Sequence, residues 1–199
     1  QPQDGTLTAT VVLAHGFKRN LNSQRGWALQ WLDHGIATAV ISFCNSTLLN
    51  GHHARNADDL IALRHHLAIK NPIYAGFSAG GLAAYLAALE DGDTRSYLGF
   101  DSVDSGNLAL KTSTPLTVPA LFLMAPPSSC NAKNNFFPII ERYDYPVQTF
   151  SQATHCHFEF PYDTRCAWIC GKSKVDVAEV QAQIFNSTTQ WIGEQSDKQ

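Results

Sequence analysis

The chain has 199 residues, 44% of them hydrophobic and 16% charged, with a formal net charge of −3. That balance fits one globular domain over 1–199 and excludes a disordered chain. It leaves no basic footprint for nucleic acid and no polybasic membrane patch. The longest apolar runs, such as Ala37–Phe43, are far shorter than a bilayer span, so no stable membrane insertion is expected. No signal peptide is visible and the chain starts at Gln1, as a mature form after cleavage or a truncated chain would.

Thr8–Ala14 is apolar and predicts a buried strand. Ser23–His34 predicts a helix, with Trp27 and Trp31 one turn apart and Gly35 as its stop. Ala37–Phe43 predicts a second strand. Asn56–Ile69 predicts a helix with Leu60, Leu63 and Leu67 on one side. Pro72–Ala75 predicts a short strand and Ala79–Glu90 a helix that ends before Asp91-Gly92-Asp93. Tyr97–Phe100, Val118–Ala125 and Val147–Phe150 predict further strands. Val175–Ile192 predicts the last helix, with Val177, Val180 and Ile184 spaced for one face.

Strands alternating with helices predict an α/β fold, a mostly parallel sheet covered on both faces. Val11–Ala14 and Ala37–Phe43 lack polar alternation, the pattern of strands buried on both sides. Reactive groups in such sheets sit at the carboxyl ends of the strands.

There are five cysteines: Cys44, Cys130, Cys156, Cys166 and Cys170. If their stretch is helical, Cys166 and Cys170 share one face of it. Their spacing matches no common zinc pattern, so two disulfides among Cys130, Cys156, Cys166 and Cys170 are expected in preference to a metal site with His155 and His157. The pairing stays open. Cys44 closes an apolar run and reads as a buried thiol. Disulfides point to an oxidising compartment, secreted or periplasmic. The sequons Asn45-Ser46-Thr47 and Asn186-Ser187-Thr188 are too common by chance to add weight.

Gly76-Phe77-Ser78-Ala79-Gly80 is a GxSxG sequence between a predicted strand and a predicted helix. A serine on that sharp turn projects its hydroxyl above the sheet, and the helix N-terminus aims free N–H groups at the site. Ser78 is therefore the candidate nucleophile. In this arrangement the acid and then the histidine follow the serine in the chain. Only His155 and His157 do so. The pairs His52/His53 and His65/His66 lie upstream and read as solvated helix or loop residues.

The sequence resembles the α/β-hydrolase superfamily, in the branch of dienelactone-hydrolase-like esterases, chlorophyllases and polyester-degrading cutinase-type enzymes. The residues carrying the likeness are Ala14-His15-Gly16-Phe17, Gly35 with the strand after it, Gly76–Gly81, Gly99-Phe100-Asp101-Ser102-Val103-Asp104 and Ala153-Thr154-His155-Cys156-His157-Phe158-Glu159. The resemblance implies backbone N–H groups of Phe17 and Ala79 as the oxyanion hole and a structural role for His15. It selects His155 as the base, leaving His157 as a surface or supporting histidine. The loop after Val118–Ala125, where the acid commonly lies, holds no carboxylate. The acid then comes from the end of the preceding strand: Asp101 is chosen, with Asp104 as the alternative or as a turn or cap residue. The resembling fold usually begins with two more strands, which predicts a minimal version or a fragment.

These expectations describe a serine esterase with no cofactor and no metal. It would act as a monomer on small-molecule or polymeric esters at an open site without a lid. Trp168, Phe158 and Tyr162 would line a hydrophobic cleft or pack in the core. The rival readings are a thioesterase, amidase or acyltransferase, and a non-catalytic binding module on the same scaffold.

Overall fold

The computed structural model describes residues 7–47 and 50–196. The elements follow in chain order as β1 (Ala9–Ala14), α1 (Arg25–Leu32), β2 (Ile36–Val40), α2 (His53–His66), β3 (Ile73–Phe77), α3 (Ala79–Glu90), β4 (Ser96–Phe100), β5 (Ala120–Met124), α4 (Phe137–Tyr143), β6 (Val147–Thr149), α5 (Thr164–Cys170) and α6 (Val177–Ser196). All neighbouring strands pair in parallel, in the order β2-β1-β3-β4-β5-β6. The chain enters at β1, moves outward to β2, then returns past β1 to β3 and continues to the far edge. The direction of winding reverses between β1 and β3. In open parallel sheets the crevice above such a reversal is where ligands bind.

Successive side chains of a strand face opposite sides of a sheet, so each strand feeds two cores. Val11, Leu13, Phe77 and Phe100 pack with Trp27 and Trp31 of α1 and Ile184 and Ile192 of α6. Val12, Ala14, Tyr74 and Phe122 pack with Leu60 of α2, Leu82 of α3 and Ile139 of α4. The five residues of β3 are all buried, because neighbours and helices cover it on every side.

Two expectations need correction. The run Ala37–Phe43 is not a central strand: β2 is an edge, and after Ile36 its residues are only half-buried. Cys44, in the bend beyond it, is an exposed free thiol and not a buried one. Helices α4 and α5 were not predicted. Each has seven residues, too few for a helical period to stand out, although Pro138 marks the first turn of α4.

The two disulfides expected are formed, as Cys130–Cys170 and Cys156–Cys166. Both end on α5. No helix among the described residues is long and apolar enough to cross a membrane.

A buried polar cluster closes the end of the sheet opposite the crevice. The Asp91 carboxylate accepts from Arg64 Nε at 2.7 Å and from the Tyr74 hydroxyl at 2.7 Å. Burial alone would raise this carboxyl; the hydrogen bonds from Arg64 and Tyr74 together hold it below its ordinary value. Removing one member of a buried pair leaves the other charge uncompensated. Asp91→Ala should therefore cost about 3–5 kcal/mol in urea unfolding. A loss below about 1 kcal/mol would show that water already compensates Arg64.

Candidate active site

The crevice is built from the turns that follow β1, β3 and β4 and from the segment after β6. The turn after β3 is the sharpest. Ser78 has φ 55° and ψ −125°, a conformation that side chains rarely adopt and that costs of order 1–3 kcal/mol. Glycines allow it. A Cβ on Gly76 would collide with the Gly80 carbonyl, and one on Gly80 would collide with the His15 carbonyl. Strand β3, helix α3 and the end of β1 therefore meet backbone to backbone. The Ser78 N–H donates to the Phe100 carbonyl at 2.9 Å, and the Ser78 carbonyl accepts from Gly81 and Val103. The turn is thus fixed from both sides, while the serine side is only half-buried.

Asp101, the first residue beyond β4, also has positive φ, 43°. Its carboxylate is fully buried. It accepts from the Ala125 N–H at 2.9 Å and from the Asn131 amide at 3.2 and 3.3 Å. Its Oδ2 lies 2.6 Å from His155 Nδ1. His155 begins the single helical turn after β6 and packs its ring over Phe77, with centroids 4.6 Å apart. Ser78 and His155 line one cavity of about 350 Å³ together with Gly16, Phe17, Phe77 and Ile169. The hydrogen bond of the His155 ring among the described residues is the one to Asp101, and none joins it to Ser78 Oγ.

Asp104 does not approach the histidine. Its carboxylate accepts from the backbone N–H groups of Ala109 and Leu110 at 2.9 and 3.0 Å, the cap role foreseen as its alternative. The N–H groups of Phe17 and Ala79 have no hydrogen-bond partner among the described residues. Ala79 is the first residue of α3, where an N–H has no partner within the helix. Both residues line a second cavity beside Ser78, of about 240 Å³.

His15 braces the first turn. Its Nε2 accepts from the Phe43 N–H at 3.1 Å, so Nδ1 carries the proton and donates to the Gly16 carbonyl at 2.8 Å. Burial lowers its pKa and keeps the ring neutral. His157 is fully buried and not at the surface. Its Nδ1 accepts from the Thr154 N–H at 2.9 Å, closing a capping box over the helical turn that carries His155.

No protein-family model matches the sequence, and no curated protein matches it significantly. Solved structures do match. A candidate alpha/beta hydrolase of unknown function from Agrobacterium tumefaciens superposes with a TM-score of 0.69 at 14% identity, covering 98% of this chain and 90% of that one. An esterase from Exiguobacterium antarcticum gives 0.66 at 12% identity, covering 94% and 92%. The chain has the α/β-hydrolase fold. Six strands make up its described sheet, and the one leading into His15 is the first of them.

On that α/β-hydrolase scaffold several side chains at the crevice went unforeseen. Asn131, in the loop that lacks a carboxylate, supplies an amide to Asp101 instead. Of the aromatic residues expected near the base, Phe158 is core, Tyr162 packs at a tilt against His157, and Trp168 is 82% exposed and does not line the cavity. Its neighbour Ile169 lines the cavity in its place. His53 is buried and lines the second cavity, contrary to its reading as a solvated residue. Helix α2 starts three residues earlier than its sequence pattern, at His53, which carries that ring inward. His65 and His66 are exposed, as expected.

The last feature is an ion pair across the crevice. Arg19 Nε, two residues beyond Phe17, lies 2.8 Å from Oε1 of the fully buried Glu159, four residues beyond His155. Neither carboxylate oxygen gains a hydrogen bond of good geometry among the described residues. Burial pushes the Glu159 carboxyl up to about 7, against the attraction of Arg19. A raised folded-state pKa means that the folded protein holds this proton more tightly than the unfolded chain. The contribution to stability is full below the unfolded value near 4.5 and is lost as pH rises through about 7. Glu159→Gln keeps the neutral shape and removes the titration. Between about pH 5 and about pH 8 the wild-type melting temperature should fall more than that of the variant. Equal pH slopes would place the proton elsewhere.

Proposed function

We propose that the protein is a serine hydrolase that cleaves carboxylic esters through an acyl-enzyme on Ser78. The observation that carries this reading is the 2.6 Å contact between the buried Asp101 carboxylate and His155 Nδ1, with the same imidazole facing Ser78 across one cavity. A carboxylate at Nδ1 fixes the tautomer that leaves Nε2 free to accept a proton. Ser78 Oγ attacks the ester carbonyl as His155 Nε2 takes its proton. The carbonyl oxygen becomes an oxyanion held by the N–H groups of Phe17 and Ala79, each donor contributing roughly 2.7–4 kcal/mol to the transition state. His155 then protonates the departing alcohol. Water, deprotonated by the same ring, releases the acid and restores Ser78.

Asn131 acts as a positioning residue for Asp101, since its amide holds both carboxylate oxygens. The four paired cysteines support a secreted or periplasmic location, where the bridges persist. The protein needs no cofactor or metal for this chemistry. The three sulfurs of Cys156, Cys166 and Cys170 lie close enough to hold an ion, but all three are engaged in disulfides.

Ser78→Ala should lower turnover of a 4-nitrophenyl ester by roughly 10⁵-fold or more and abolish labelling by a fluorophosphonate probe. Asp101→Asn should lower kcat by roughly 10⁴-fold. Undiminished turnover by the Ser78 variant ends the hydrolase reading. Asn131→Ala should lower kcat up to about a hundredfold while KM changes little, because it loosens the carboxylate and not the substrate. A rise in KM alone would mean that Asn131 contacts substrate.

A further inference from the structure

Two cavities meet at Ser78, and they differ in chemistry. The first, about 350 Å³, contains His155 and is walled mainly by apolar groups: Phe17, Phe77, Ile169 and the Cys130–Cys170 bridge. The second, about 240 Å³, lacks His155 and holds Ala79, Val103, Gly51, Ser105 and His53. On the reading above, the geometry of ester cleavage assigns each half of a substrate. The leaving oxygen must receive its proton from His155, so the alcohol lies in the first cavity. The acyl group then lies in the second, beside the N–H groups of Phe17 and Ala79.

His53 is the imidazole of the acyl cavity, and the mechanism gives it no role. It is only 8% exposed. It lies edge-on to Phe17 with centroids 6.4 Å apart, and it packs so closely on Gly51 that a Cβ there would collide with the imidazole. Its ring makes no hydrogen bond to any described residue, although both neighbouring histidine roles in this site, at His15 and His157, are tied to backbone N–H groups. Burial lowers its pKa, so at neutral pH the ring offers one N–H donor and one nitrogen acceptor. No partner holds either ring nitrogen and neither is sealed from solvent, so a ligand in the cavity can reach them.

We propose that His53 is a specificity-determining residue that hydrogen-bonds a hydroxyl or oxo group on the acyl half of the substrate. The substrate class is then an ester of a short oxygenated acid with an apolar alcohol. At about 240 Å³ the second cavity is the smaller of the two, which suits a short acyl chain. Ser105, on the same wall, supplies a second polar group for the far end of such a chain.

The test uses two esters that share one leaving group, 4-nitrophenyl butanoate and 4-nitrophenyl 3-hydroxybutanoate. The wild-type enzyme should favour the hydroxylated ester by at least about tenfold in kcat/KM, since sites built to bind a hydroxyl reject the analogue without it. His53→Leu should bring that ratio close to one, whatever it does to absolute rates. His53→Gln, which keeps a donor and an acceptor, should restore part of the preference. A merely structural histidine would change both rates together and leave the ratio untouched. Equal wild-type rates on the two esters overturn this proposal and leave the hydrolase reading standing. A wild-type protein that turns over neither ester and resists the fluorophosphonate label overturns both.

Discussion

A fully buried carboxylate at the end of β4 sets the terms for the rest of the crevice. Removing a charge from water costs several kcal/mol unless close donors replace the hydration. Asp101 finds those donors on three separate segments: the Ala125 N–H at the end of β5, the Asn131 amide in the loop beyond it, and the His155 ring after β6. None of the three can drift without exposing the charge to an unpaired state. The loops after β5 and β6 are thereby fixed to the end of β4. The disulfides reinforce the same joint, since Cys130 adjoins Asn131 and Cys156 adjoins His155. Both bridges end on α5, closing loops of 40 and 10 residues. By chain entropy these contribute about 4 and about 3 kcal/mol.

How much of this was legible depends on how local the signal is. The GxSxG turn is readable because its glycines are demanded by backbone contacts within the same few residues. Strands β1, β3, β4 and β5 are readable because burial on both faces leaves an unbroken apolar run. Strand β2 carries the same kind of run yet sits at an edge, and composition alone does not state which strands lack a neighbour. That is also why Cys44 was placed inside and lies outside. Asp101 was reachable through the family likeness of Gly99–Asp104 together with the missing carboxylate between 126 and 135. Asn131, which replaces it there, has no local mark: its role exists only after β4 and β5 pair in register. The disulfide pairing is of the same kind, decided by where α5 docks. Trp168 and Ile169 illustrate the limit at single-residue scale. On a seven-residue helix one step in sequence rotates a side chain by about 100°, and the smaller of the two faces the cavity.

The crevice combines parts that are rigid for different reasons. Ser78 is held in a strained conformation by backbone contacts with β1, α3 and β4. The ring that faces it is held by a buried charge. The N–H groups of Phe17 and Ala79 are held by the end of β1 and the start of α3, and the His15 ring clamps that first turn to Phe43. On the proposed reading, groups fixed in this way need little reorganisation when charge develops on a bound substrate, which is the condition for strong electrostatic stabilisation.

Arg19 couples these parts across the opening. It reaches Glu159 with Nε and Asp163 with a terminal nitrogen, at 2.8 and 2.9 Å. Asp163 in turn caps α5, accepting from the Arg165 N–H at 2.7 Å. One guanidinium thus joins the loop of Phe17, the segment of His155 and the helix that carries Ile169. The two carboxylates are not equivalent. Glu159 is sealed from solvent and takes up a proton near neutrality, whereas Asp163 is partly exposed. When Glu159 becomes neutral, burial of its charge no longer opposes folding, and Asp163 still holds the arginine. Arg19 therefore keeps a carboxylate partner in both protonation states of Glu159, and what changes with pH is the stability of the fold.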